Sequence, residues 1–118
     1  MHTRYTEHTQ ALIDGVLNSP GGTISTLRQA VETYAAKLSG RVSSQTGQIP
    51  AELESYISKV ALSAYQVTDQ DIEALRTAGY SEDALFELTL SAALGAGIAR
   101  LERGLSALKG EGDETQSH

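Results

Sequence analysis

Residues 81–108 read SEDALFELTLSAALGAGIARLERGLSAL, with no proline anywhere in the stretch. Ser81 stands where a helix wants a hydroxyl cap, and Glu82 and Asp83 follow where carboxylates favour the positive end of the helix dipole. Phe86, Leu90, Leu94, Ile98, Leu101, Leu105 and Leu108 then recur at steps of four and three. That spacing predicts a helix of about six turns whose large apolar stripe faces a core. A second feature shares the same helix: Ala92, Ala93, Gly95, Ala96, Gly97, Ala99 and Gly104 form a patch of small residues. Each glycine there costs up to about 1 kcal/mol relative to alanine, so close approach of another helix is expected to offset it. That helix comes either from the same chain or from a second subunit. The expectation adopted is an obligate homo-oligomer meeting at Ala92, Ala93, Ala96, Gly97 and Gly104.

Upstream, the same helical periodicity repeats. A first helix is expected over about Thr6 to Leu17 with Leu12, Ile13 and Val16 inward, and the turn Pro20-Gly21-Gly22 follows it. Ile24, Leu27, Val31, Tyr34 and Leu38 form the next stripe, ended by Gly40, and residues 40–49 read as a polar loop. Pro50 opens a third helix with Leu53, Ile57, Val60, Ala64 and Val67 as its stripe. Thr68 and Asp71 have the spacing of a capping box for a short fourth helix, which Gly79 ends. No segment alternates with period two over a length that would make a strand. The reading is a single all-α domain over residues 1–118, a compact bundle of about five helices, with a polar and disordered tail over 110–118.

The chain of 118 residues has a mass of 12.5 kDa, a net charge of −6 and a pI near 4.9, which argues against a phosphate-neutralising surface and against nucleic acid as a partner. No uninterrupted apolar run approaches the roughly 18 residues of a membrane helix, and the polar N-terminus lacks the apolar segment of a signal peptide, so a cytoplasmic location and no membrane partner are expected. Cysteine is absent, which excludes disulfides, thiolate metal sites and thiol nucleophiles. The three histidines, His2, His8 and His118, sit near the ends with no carboxylates converging on them, so no metal and no cofactor are expected.

The segment from about Pro50 to Leu108 carries an ordered set of features. Glu52 is followed by Ala64-Tyr65-Gln66-Val67-Thr68-Asp69-Gln70-Asp71, then Ala78-Gly79-Tyr80-Ser81-Glu82-Asp83, then a capped helix rich in alanine and glycine. This order resembles the carboxymuconolactone decarboxylase and alkyl hydroperoxidase D-like (AhpD-like) superfamily. In its peroxidase branch a helix carries a glutamate and, twelve residues on, C-x-x-C-x-x-x-H. Here Ala64 and Val67 stand at the cysteine positions and Asp71 at that of the histidine. The resemblance implies the family's compact helical fold and its trimers or hexamers. It does not carry the thiol peroxidase activity, which needs two sulfurs and a histidine.

Two function classes follow. The first is a non-redox binding or assembly module that keeps the family fold, an oligomer or a pocket for a small molecule. The second is a cofactorless decarboxylase-type enzyme acting on a small carboxylated substrate, with Glu52, Asp71 or Tyr65 moving the proton. The histidine that this branch usually shows at Asp71 is missing, which favours the first. Each candidate also has a structural reading: Glu52 as a first-turn carboxylate, Asp71 as the acidic half of the capping box, Tyr65 as half-buried packing. The remaining polar groups between Asp69 and Glu87 read as a solvated ion-pair surface. Arg100 and Arg103 read either as anion ligands or as partners for a neighbouring subunit's carboxylates.

Overall fold

Five helices follow one another in the computed structural model, which describes residues 2–41 and 47–117: α1 (His2–Asn18), α2 (Ser25–Leu38), α3 (Ala51–Leu62), α4 (Asp69–Thr77) and α5 (Glu82–Ser117). A 3₁₀ turn, Ala64–Gln66, joins α3 to α4, and no strand occurs among the described residues. The expected punctuation accounts for most of the ends. Pro50 directly precedes α3. Thr68 accepts from the Asp71 backbone N–H at 3.3 Å while the Asp71 carboxylate accepts from the Thr68 N–H at 2.9 Å, closing the capping box of α4. Gly79 takes the left-handed conformation, φ +108°, just past α4, and Ala84 N–H donates to the Ser81 hydroxyl at 3.1 Å.

α5 is the axis of the molecule. Its 36 residues set the long dimension of a body measuring 58 × 28 × 25 Å, and α2 lies along it more extensively than any other element. α3 packs against both, and α1 and α4 close the sides. Val31, Leu53, Ile57 and Leu88 are fully buried at the centre, joined by Ala35, Tyr56, Leu75, Leu85, Ala92 and Ala96.

The structure therefore inverts the expected faces of α5. Ala92, Gly95, Ala96 and Ala99 are buried, whereas Phe86, Leu90, Leu105 and Leu108 are exposed and Leu94, Ile98 and Leu101 only half-buried. The cause is the closeness of α2: a Cβ on Gly95 would run into the backbone carbonyl of Glu32, so only small residues fit along this line. The small-residue patch is split by this packing. Ala92 and Ala96 belong to the monomer's own core, while Ala93, Gly97 and Gly104 are exposed.

Other departures are local. α3 ends at Leu62 because Ser63 is extended, φ −158°, so Ala64 is exposed in the 3₁₀ turn and Val67 is half-buried rather than core. In α1 it is Leu17 that is buried and Leu12 that is exposed, and Arg28 of α2 reaches the Val16 carbonyl near the C-terminal end of α1. Ile24, just before α2, and Leu38 at its end are exposed as well. The α5 backbone continues past Gly110 to Ser117 instead of giving way to a disordered tail, since no proline stops it. Residues 42–46 of the expected loop lie outside the described residues.

Between Glu82 and Lys109, α5 is by length and composition apolar enough to cross a membrane, with a mean hydropathy of 1.4 over its most apolar 18 residues. Reading for uninterrupted apolar runs misses this, because Glu87 and Arg100 interrupt the run without making it polar. Both charges are tied to the bundle, and 44% of the segment's apolar window is buried in it.

Candidate functional site

The sequence candidates come from α3, the 3₁₀ turn and α4. Glu52 lies exposed in the first turn of α3. Tyr65 is 86% exposed in the 3₁₀ turn. Asp71, in the first turn of α4, is half-buried, and the ammonium of Lys59 donates to its two oxygens at 2.9 and 3.0 Å. The Thr68 backbone N–H, foremost, and then Lys59 hold the Asp71 carboxyl below its usual pKa. Among the described residues no hydrogen bond or ion pair joins any two of Glu52, Tyr65 and Asp71.

What lies near Glu52 is Tyr80, whose phenol is pushed above its ordinary pKa first by burial and then by the Glu52 charge. A phenol shifted this way keeps its proton more firmly, and a carboxylate held as an anion by an ammonium is a weaker base. Both shifts run against proton transfer near neutrality. The surface ion-pair reading of the polar cluster holds for Arg76, which pairs with Glu82 at 2.5 Å and lies 3.8 Å from Glu73.

Glu87, grouped with that cluster in the sequence, does something else. Its carboxylate accepts from Gly22 N–H at 2.6 Å, Thr23 N–H at 2.8 Å and the Thr23 hydroxyl at 2.6 Å, which locks the turn between α1 and α2 onto α5. These bonds, the Thr23 hydroxyl first, hold its pKa below the ordinary value. The buried Arg28 pins the same connection from the other side, donating to the carbonyl of Val16 at 2.8 Å and to that of Ser19. Nothing in local sequence marks either latch, since each spans a turn that pattern reading leaves without partners.

Sequence reasoning also missed a recess of about 440 Å³ where Gly40 and Arg41 meet Ala99, Glu102, Arg103 and Ser106 of α5. Arg41 pairs there with Glu32 at 2.7 Å and Glu102 at 3.3 Å. Burial opposes the Arg41 charge, but the two carboxylates outweigh it and hold the guanidinium above its ordinary pKa. With Arg41 neutralised twice over, Arg103 has no carboxylate partner among the described residues and lies beside Gly40, which takes φ +109°. Arg100 is likewise committed, because it donates to the Ala61 carbonyl at the C-terminal end of α3, where a cation offsets the helix dipole.

The chain matches no family model, no curated protein and no solved structure.

A further feature of α5 is an apolar surface. At about 100° per residue, Phe86, Leu90, Leu94, Leu101, Leu105 and Leu108 fall within an arc of roughly 100°. Ala84, Leu85, Leu88, Ser91, Ala92, Gly95, Ala96 and Ala99, all buried, lie on the opposite side of α5. The helix thus carries two apolar faces, of which one is buried and the other is exposed or half-buried among the described residues.

Proposed function

We propose that the protein is a non-redox helical binding or assembly module, cytoplasmic and AhpD-like in architecture, which acts by presenting the second apolar face of α5 to another surface. One observation carries this reading: large apolar side chains line an exposed face of the central helix while the small ones fill the core. An exposed apolar patch of that extent marks an interaction site. The state of the candidate catalytic groups supports it further. Asp71 is bound by Lys59 and Thr68, Tyr65 stands in solvent, and Tyr80 holds its proton more firmly than a free phenol.

The AhpD-like part rests on the order of features from Pro50 to Leu108 and on the five-helix architecture. The test is an assay of purified protein for hydroperoxide reduction with thiol reductants and for decarboxylation of small carboxylated lactones. No turnover above buffer is expected in either. Turnover that falls with Glu52→Gln, Asp71→Asn or Tyr65→Phe would overturn the reading in favour of a cofactorless enzyme.

A further inference from the structure

We propose that the occupant of this face is a second copy of the same chain, packed antiparallel along α5 about a two-fold axis at Gly97. The inference rests on the reading of α5 as an interaction surface and names its partner.

Area is the first argument. Phe86 is 68% exposed, Leu90 42%, Leu105 49% and Leu108 70%. These four leave on the order of 400 Å² of apolar surface open per copy, about 800 Å² for a pair. The half-buried Leu94, Ile98 and Leu101 and the exposed Ala93, Gly97 and Gly104 widen the same strip. A symmetric pair thereby reaches about 1,200 Å², where specific interfaces begin.

Shape is the second argument, and it selects the direction. Leu94, Ile98, Leu101, Leu105 and Leu108 repeat at steps of four and three, the spacing with which two helices interlock over several turns. Gly97 has open space where a Cβ would stand, and so has Gly104. With Gly97 facing Gly97 of the second copy in antiparallel register, Leu90 faces Gly104, Ala93 faces Leu101 and Phe86 faces Leu108. Leu90 and Leu101 meet the small Gly104 and Ala93, Phe86 meets Leu108 at either end, and the two helix dipoles oppose. A parallel pair would stack glycine on glycine and leucine on leucine, leaving gaps beside the small residues. The contact is isologous, so one patch serves both copies and closes on itself.

A two-fold contact admits even-numbered assemblies, including a hexamer built from three pairs, and forbids a trimer alone. Light scattering at micromolar concentration should give an even multiple of 12.5 kDa. Leu101→Lys with Leu90→Lys, both outside the fully buried core, should give the monomer mass with an unchanged helical circular-dichroism spectrum. Orientation is read by cross-linking, which the cysteine-free chain makes clean. Mixed Ala93→Cys and Leu101→Cys chains treated with a short thiol-reactive linker should yield several-fold more covalent dimer than either variant alone. A wild type of monomer or trimer mass, a mass unmoved by the double lysine variant, or equal cross-linking of the separate variants would overturn the proposal. Should the wild type instead be a monomer that co-sediments with phosphatidylcholine vesicles through Leu90 and Leu101, the face belongs to a lipid surface and the proposal also fails. None of these outcomes touches the turnover assay, so the partner and the non-enzymatic reading fail separately.

Discussion

The two faces of α5 use opposite means to the same end. Toward α2 the helix shows Ala92, Gly95, Ala96 and Ala99, and the axes come so near that the Glu32 carbonyl occupies the space of a Gly95 side chain. On the far side it shows Phe86, Leu90, Leu105 and Leu108, all of them exposed. Burial thus goes to the face that permits close packing, where dispersion contacts accumulate between backbones, and not to the face with the larger side chains. Apolar bulk alone is a poor guide to which side of a helix is the inside.

The sharpest way to break this comparison is to truncate neighbouring leucines on the two sides. Leu88 is fully buried and Leu90 is substantially exposed. Leu88→Ala should cost about 2–5 kcal/mol, because it leaves a cavity among tightly packed neighbours. Leu90→Ala should change the stability of the single chain by less than about 1 kcal/mol. Urea unfolding of both variants decides; equal losses would mean that the faces are wrongly assigned.

The second contrast is between glycines and should differ in sign. Gly95→Ala places a methyl group against the α2 backbone, which cannot swing away as a side chain can, and should destabilise by about 1–3 kcal/mol. Gly97→Ala meets open space and should gain up to about 1 kcal/mol of helix propensity. Thermal melts in a Leu90→Lys/Leu101→Lys background, designed to block the proposed self-association, separate the fold from the assembly.

The legible parts of this chain were those set by neighbours in sequence. Thr68 with Asp71, Gly79, Ser81 and Pro50 mark helix ends through bonds that span a few residues, and the structure forms them. The inward side of α5 was not legible, because a period of 3.6 residues reveals faces without saying which one a partner helix can approach. That choice depends on the Glu32 backbone, sixty-odd positions away in the chain. The early end of α3 had no signal either: Ser63-Ala64-Tyr65 contains neither glycine nor proline. The latches at Arg28, Arg41 and Glu87 were hidden for the reason that hid the face of α5, since each joins separate elements.

The end of α3 repeats the two-face contrast on a smaller scale. Ala64 opens the 3₁₀ turn and Val67 follows it, the first exposed and the second packed against the core cluster. Ala64→Asp should stay within about 0.5 kcal/mol of wild type, and Val67→Asp should cost on the order of 1–2 kcal/mol, as a carboxylate is drawn partly out of water. Were Ala64→Asp the more damaging, the helical stripe read from Leu53 through Ala64 would have to be restored.

The smallest expected effect concerns Glu87, which sits on α5 between the two faces and fastens the turn that precedes α2. Its folded pKa lies below the unfolded value of about 4.3, chiefly because the Thr23 hydroxyl and the Gly22 N–H donate to the charged carboxylate. A depressed folded pKa means that the unfolded chain takes up the proton first as pH falls. The stabilisation is therefore fully present above the unfolded value and disappears as pH drops through the folded one. Glu87→Gln retains an acceptor oxygen without the charge, so it should be less stable than wild type near neutrality, and the gap should narrow on acidification. Asp71, also depressed, keeps its own acid sensitivity in both proteins and leaves a common slope. Urea midpoints measured from pH 7 down to about pH 3 read the difference directly. A gap that widens toward acid would show that the Glu87 carboxylate is not held as an anion by the turn.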